Sequence, residues 1–292
     1  MNKASKYLGI VLPLLLALAI QVLGAMWIGI IYSAVRMFQL ASRNGANISN
    51  AGMDIVNEVQ DPQFLMAISG VFGAIGIIVF GLWMRHLKRG DNTHIKANRF
   101  SVKQAGIIIV LGIFLQIGLS IVLTVISNWQ PGWFKEYGEL MEKLDMGNSL
   151  ASFLYVGIIG PVAEELIFRG VTLGKARRLM PFFAANILQA LLFGIYHMNL
   201  IQGTYAFAIG LCFGLVRFTF NTLAASVALH MSVNLSGFFL GYILSDSMLL
   251  NPVSGGLLFV VSAAVIAASL IYFIRLSRNV EVEENIYTFE EN

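Results

Sequence analysis

The sequence predicts an all-α fold, a polytopic membrane bundle of about eight transmembrane helices. Three observations carry this. Of 292 residues, 57% are hydrophobic and only 12% charged, against about 25% charged in soluble domains. The missing charge is missing in long blocks. Within those blocks the apolar residues run continuously instead of alternating every second position, so they read as helices and not barrel strands. High hydrophobicity also excludes a disordered chain.

The blocks free of Asp, Glu, Lys and Arg are 7–35, 62–84, 104–134, 146–163, 179–216, 218–245 and 247–274. A crossing helix needs about 20 apolar residues. Span 1 falls at 8–34. Lys3 and Lys6 ahead of it look like a signal-peptide start, but a cleavable core holds about 7–15 apolar residues, so this long run reads as a retained span. Spans 2 and 3 follow at 63–84 and 105–127, and span 4 at 150–174. The 38 residues 179–216 are too many for one crossing and divide at the polar patch 199–203, giving spans 5 (181–199) and 6 (203–219). Spans 7 and 8 fall at 222–244 and 253–275.

The loops set an orientation. Arg85, Lys88, Arg89, Lys96, Arg99 and Lys103 follow span 2, and Lys175, Arg177 and Arg178 follow span 4. Arg217 ends span 6, and Arg275 and Arg278 end span 8. With Lys3 and Lys6, these even-numbered exits predict both termini on the cytoplasmic side. The opposite loops carry Asp54, Glu58 and Asp61, then Glu136, Glu139, Glu142 and Asp145. The tail (Glu281, Glu283, Glu284, Glu290, Glu291) is acidic and reads as a disordered cytoplasmic end. The net charge of +3 sits mostly in these short loops and implies a lipid bilayer, with no nucleic acid, as partner. Cys212, the single cysteine, leaves no intramolecular disulfide and no thiolate zinc site.

Spans 1–3 carry no ionised residue and read as scaffold. Span 4 breaks the rule with Glu164, Glu165 and Arg169. Each charge at bilayer depth costs about 2.5–3.5 kcal/mol. Glu165 and Arg169, four apart with the acid first, suit a helical ion pair. Glu164 lies about 100° round the helix and stays unpaired there. A cluster at the span end, with Arg169 snorkelling, is the plain alternative. Two histidines also lie in apolar spans, while His86 and His94 belong to a basic loop. His197 shares a face with Phe193, and His230 with Asn234. Spans 4 and 5 form a hairpin about residues 179–181, which brings Glu164 and His197 level, each about 25 Å from the turn. His230 comes to within about 10 Å of that level, a gap that closes if the basic connection 174–180 projects from the bilayer.

An unpaired, desolvated glutamate can act as a general base near neutral pH. A histidine beside it can relay the proton, and a His and an Asn can donate to a developing oxyanion. These are the parts for adding water to an amide without a Ser or Cys nucleophile. Glu164, His197 and His230 could instead hold Zn²⁺ with an open water position, although no HExxH is present.

Taken in order, EExxxR (Glu164, Glu165, Arg169), FxxxH (Phe193, His197) and HxxxN (His230, Asn234) resemble the CPBP intramembrane proteases. These comprise the type II CAAX prenyl endopeptidases and the bacterial bacteriocin-processing and self-immunity (Abi) proteins. The resemblance covers about 150–240. It implies a catalytic core at 150–244, between an N-terminal scaffold at 1–149 and a last span with acidic tail at 245–292. It also implies an enzyme that hydrolyses a peptide bond in a membrane-associated peptide or protein. Glu164 and His197 would activate water, His230 and Asn234 would stabilise the oxyanion, and Glu165, Arg169 and Phe193 would support the site. The compact chain suggests a bacterial cell membrane. The rival readings are a proton-coupled secondary transporter, which also needs intramembrane charge, and a non-cleaving immunity protein.

Overall fold

The computed structural model describes residues 3–42, 48–89, 94–143 and 149–283. It is all-helical apart from one small β-ribbon. The long α1 (Lys3–Ser42) leads to α2 (Ile48–Gln60), α3 (Pro62–Arg89) and β1 (His94–Lys96). Then come α4 (Val102–Trp129), the short α5 (Lys135–Lys143) and the composite helix α6 (Leu150–Ala176). The chain continues through α7 (Phe182–Tyr196), α8 (Leu200–Phe220) and α9 (Leu223–Ile243). It closes with α10 (Asp246–Leu250), α11 (Ser254–Ser277) and β2 (Glu281–Glu283).

Seven of the described helices are long and apolar enough to cross a membrane: α1, α3, α4, α6, α8, α9 and α11. The remaining expected span, span 5, corresponds to α7, apolar but only 15 residues long. The division of 179–216 falls where the polar patch suggested. His197 caps α7, Met198 turns through φ 50°, and Asn199 caps α8 by accepting from the Gln202 amide at 3.0 Å. The next turn is as tight. Asn221 adopts the left-handed conformation at φ 47°, and Thr222 accepts from the Ala224 amide.

The even-numbered exits do share one end. β1 pairs antiparallel with β2, His94 opposite Glu283 and Lys96 opposite Glu281. Arg178 Nη2 donates to the Leu87 carbonyl at 2.8 Å, tying the exit of α6 to that of α3. Asn98 Nδ2 donates to the carbonyls of Thr219 and Leu276, tying in α8 and α11. The start of the acidic tail is thus not disordered: residues 281–283 form a strand, and Glu281 pairs with Lys96 at 3.1 Å. Glu284, Glu290 and Glu291 lie outside the described residues, as does Asp145.

Helices α6, α8 and α9 are the inner ones, with 44% of their most apolar window buried against 17–28% in α1, α3, α4 and α11. α1 and α3 pack on one side of α6, and α4 packs between α9 and α11. Between the inner helices lies a core that includes Phe168, Phe193, Phe213, Val171 and Leu229, all buried. α7 and α8 approach at their backbones. A Cβ on Gly194 would stand 2.6 Å from the Gly203 carbonyl oxygen, which only glycine permits.

Helix α6 departs from the expected plain span. It widens to π geometry at Tyr155–Ile159 and again at Leu166–Thr172, so the two glutamates sit on a short α-helical piece between π turns. The first has a local cause. Proline inside a helix lacks an N–H and clashes with the preceding turn, and the π turn lies just before Pro161. There the Gly160 amide reaches back to Tyr155 O, and Pro161 offers no amide at all. The Val156 carbonyl therefore lacks a main-chain donor, and Asn234 Nδ2 of α9 supplies one at 2.9 Å.

Candidate active site

Glu165 is fully buried and pairs with Arg169 as the i,i+4 spacing anticipates, Nη1 to Oε1 at 2.9 Å. Arg169 Nη2 also donates to the Gly210 carbonyl at 3.1 Å. Its guanidinium lies between two aromatic faces, 4.4 Å from the Phe193 ring centre and 4.8 Å from that of Phe213. Stacking on two rings offsets part of the cost of burying the cation. Phe193 thus supports the site through Arg169 as well as through its own helix.

His230 of α9 stands between the two carboxylates. Its Nδ1 is 3.0 Å from Glu165 Oε1, and its Nε2 is 3.6 Å from Glu164 Oε2. Phe213 stacks on the ring at 4.5 Å. Glu165, held by a guanidinium, is the acceptor, so Nδ1 carries the hydrogen of that bond. Nε2 then faces Glu164 at a distance too long for a direct hydrogen bond, and a single proton there can serve either partner.

His197 is fixed differently. Its Nδ1 lies 2.9 Å from the Phe193 carbonyl oxygen. A carbonyl only accepts, so Nδ1–H donates and Nε2 of the neutral ring bears the lone pair. Glu164, His197 and His230 are close enough for their charges to act on one another. Asn234 faces the same helix as His230, one turn further on, with one amide hydrogen on Val156 O and the other available.

Among the described residues Glu164 is the only carboxylate in the lining of a narrow, partly open cavity bounded by α1, α3, α6 and α7, its enclosed part about 20 Å³, room for about one water. Its walls include Ala17, Gly73, Gly76 and Phe80, with Gln21, Tyr155 and Tyr196 as the neutral polar lining. Spans read as plain scaffold thus wall the cavity beside Glu164.

Several contributors were missed from sequence. Phe213 is the shared platform of Arg169 and His230. Gln189 and Asn186 of α7 bind each other at 2.8 Å and the carbonyls of Gly210 and Leu211. Their signal was present, since two amides three apart in a charge-free span call for partners. As for metal, no three His, Cys, Asp or Glu side chains among the described residues are grouped to hold an ion. The Nδ1 bonds of His230 to Glu165 and of His197 to the Phe193 carbonyl leave both Nε2 atoms free, as in metal-ligating imidazoles, but Glu164, His197 and His230 are not grouped closely enough here to form such a set.

Residues 146–236 match the family described as type II CAAX prenyl endopeptidase Rce1-like. The chain is 26% identical over 179 residues to the membrane-embedded CAAX protease MroQ of Staphylococcus aureus (strain USA300), covering 59% of this chain and 70% of that protein. It is 29% identical over 77 residues to YdiL of Bacillus subtilis (strain 168), named as a membrane peptidase, covering 26% of this chain and 32% of that one. No solved structure matches. All three motifs fall inside the matched segment, and over that segment the chain is similar to the CPBP family of intramembrane proteases.

Proposed function

We infer that this membrane-embedded protease hydrolyses a peptide bond in a membrane-associated peptide or protein with a water molecule activated by Glu164. The observation that carries this reading is the position of Glu164, which lines the cavity while its Oε2 stands 3.6 Å from His230 Nε2. Glu164 takes a proton from water as the water oxygen attacks the carbonyl carbon. His197, with its Nε2 lone pair, relays that proton towards the leaving amine nitrogen as the C–N bond breaks. His230 and the second amide hydrogen of Asn234 stabilise the oxyanion, as the family resemblance implies. Glu165 and Arg169 fix the His230 ring through Nδ1–H, so that Nε2, protonated in exchange with Glu164, is the nitrogen that donates to the oxyanion. One water is consumed, and a carboxylate and an amine leave.

Both termini lie on the cytoplasmic side in this reading, supported by the basic exits gathered at one end of the bundle. The test is cleavage of lipid-anchored peptides by purified protein in phosphatidylglycerol–phosphatidylethanolamine proteoliposomes. Glu164→Gln and His197→Ala are each expected to lower kcat at least about 10²-fold, the scale of general-base catalysis. Undiminished cleavage in both variants would overturn the assignment.

A further inference from the structure

A protease in a bilayer must hold an unfolded stretch of substrate whose backbone groups have no water to pair with. Each unsatisfied group there costs several kcal/mol. Peptide-binding proteins commonly meet this demand with a sheet edge. The only described strands here are β1 and β2, on the loops at the far end of α3 and α11. Beside Glu164 the wall is helical, with its own backbone groups already engaged, so pairing must come from side chains.

The cavity lining supplies few. Apart from Glu164 its polar side chains are Gln21, Tyr155 and Tyr196, and the roles assigned above use none of them. Tyr155 Oη accepts from Gln21 Nε2 at 3.4 Å, which leaves the phenol's own hydrogen to be donated elsewhere. The Tyr196 hydroxyl has no hydrogen-bond partner among the described residues and is not sealed off. Both phenols lie near enough to Glu164 for its charge to reach them. They sit on different helices, α6 and α7. Gly73 and Gly160 let α3 and the turns of α6 pack closely around Tyr155, since a Cβ on Gly73 would stand 2.7 Å from Ile159 Cγ2 and one on Gly160 2.9 Å from the Tyr155 carbonyl oxygen.

We propose that Tyr155 and Tyr196 donate hydrogen bonds to backbone carbonyls of an extended, apolar substrate segment flanking the cleaved bond, with Gln21 of α1 orienting Tyr155. This rests on Glu164 as the catalytic base. It makes the substrate an unwound peptide, and it gives α1 a positioning role. Contacts kept in both ground and transition states act on KM and leave kcat alone.

The experiment uses a lipid-anchored peptide that the intact protein cleaves and Glu164→Gln does not. Tyr155→Phe and Tyr196→Phe preserve ring packing, which a thermal unfolding curve matching the parent verifies. Each is expected to raise KM about tenfold, the loss of one net hydrogen bond, with kcat within about threefold. Gln21→Leu should raise KM less and have no further effect in a Tyr155→Phe background. Unchanged KM in both Phe variants would overturn the proposal, and so would a fall in kcat at constant KM, which would make the phenols oxyanion donors. Cleavage by Glu164→Gln at the parent rate would instead sink the underlying reading of the base, so the two failures are distinguishable.

Discussion

His230 donates from Nδ1 to Glu165 Oε1 at 3.0 Å, the same oxygen that Arg169 Nη1 reaches at 2.9 Å. One oxygen thus orients a histidine and neutralises a buried cation. Glu165 Oε2 and Arg169 Nε are buried without partners, so the network has no reserve.

Removing one member alone should therefore be costly. Glu165→Gln or Arg169→Met is expected to destabilise the protein by about 3–5 kcal/mol, because each strands a buried charge. The double variant Glu165→Leu/Arg169→Met should recover most of that stability, since an apolar pair of similar volume carries no desolvation cost. Activity should stay lost in the double variant, because His230 no longer has its Nδ1 acceptor. Denaturant unfolding in micelles, measured beside peptide cleavage, checks both halves.

Asn234 and Pro161 should show coupling although they lie on different helices. Asn234→Ala leaves the Val156 carbonyl without a donor and should cost about 1–3 kcal/mol. In a Pro161→Ala background the new main-chain amide can serve the turn, and the same substitution should cost about 1 kcal/mol or less. A double-mutant cycle on stability with zero coupling would refute this account of the π turn.

At Gly194 and Gly203 the α7 and α8 backbones touch. An alanine at either position pushes the helices apart and is expected to cost about 1–3 kcal/mol, as overpacking does. His197 is three residues from Gly194, so cleavage should fall together with stability. Gly241, with open space beyond its Cα, is the control that should tolerate alanine.

Glu58 on α2 gives a prediction in pH. Its hydrogen bond from Arg36, Nε to Oε2 at 2.8 Å, holds its carboxyl below the usual range, with Tyr32 adding a second bond at 3.0 Å. A depressed acid stabilises the fold above its ordinary titration and loses that contribution as pH falls through the lowered value. Hydrogen exchange in α2 should accordingly be slow at neutral pH and accelerate in acid. Glu58→Gln should exchange quickly throughout.

Much of the bundle can be read from where charge is missing, because lipid enforces the pattern residue by residue. The tight turns at Asn199 and Asn221 were likewise marked by polar residues between apolar runs. The convergence of His230 on both glutamates was permitted by helix arithmetic, but its direction was not. Spacing on an ideal helix left Glu164 free and cannot say that one imidazole reaches both acids, since that depends on how α6 and α9 cross. The π turns were hidden for the same reason: Pro161 signals an irregularity, and the neighbouring helix decides its form. Tyr155, Tyr196 and Gln21 escaped notice because neutral polar residues in a span carry no obvious cost until the cavity they face is seen.

Helix α7, only 15 residues long, extends about 22 Å, while a bilayer's hydrocarbon is about 30 Å thick. It stops at His197, so one candidate catalytic side chain sits at the end of a helix shorter than the hydrocarbon is thick. Water is the second reactant of the proposed hydrolysis, and a bilayer matched to so short a helix leaves less oil for it to cross. Turnover should then depend on acyl-chain length, quickening in thin bilayers and slowing in thick ones.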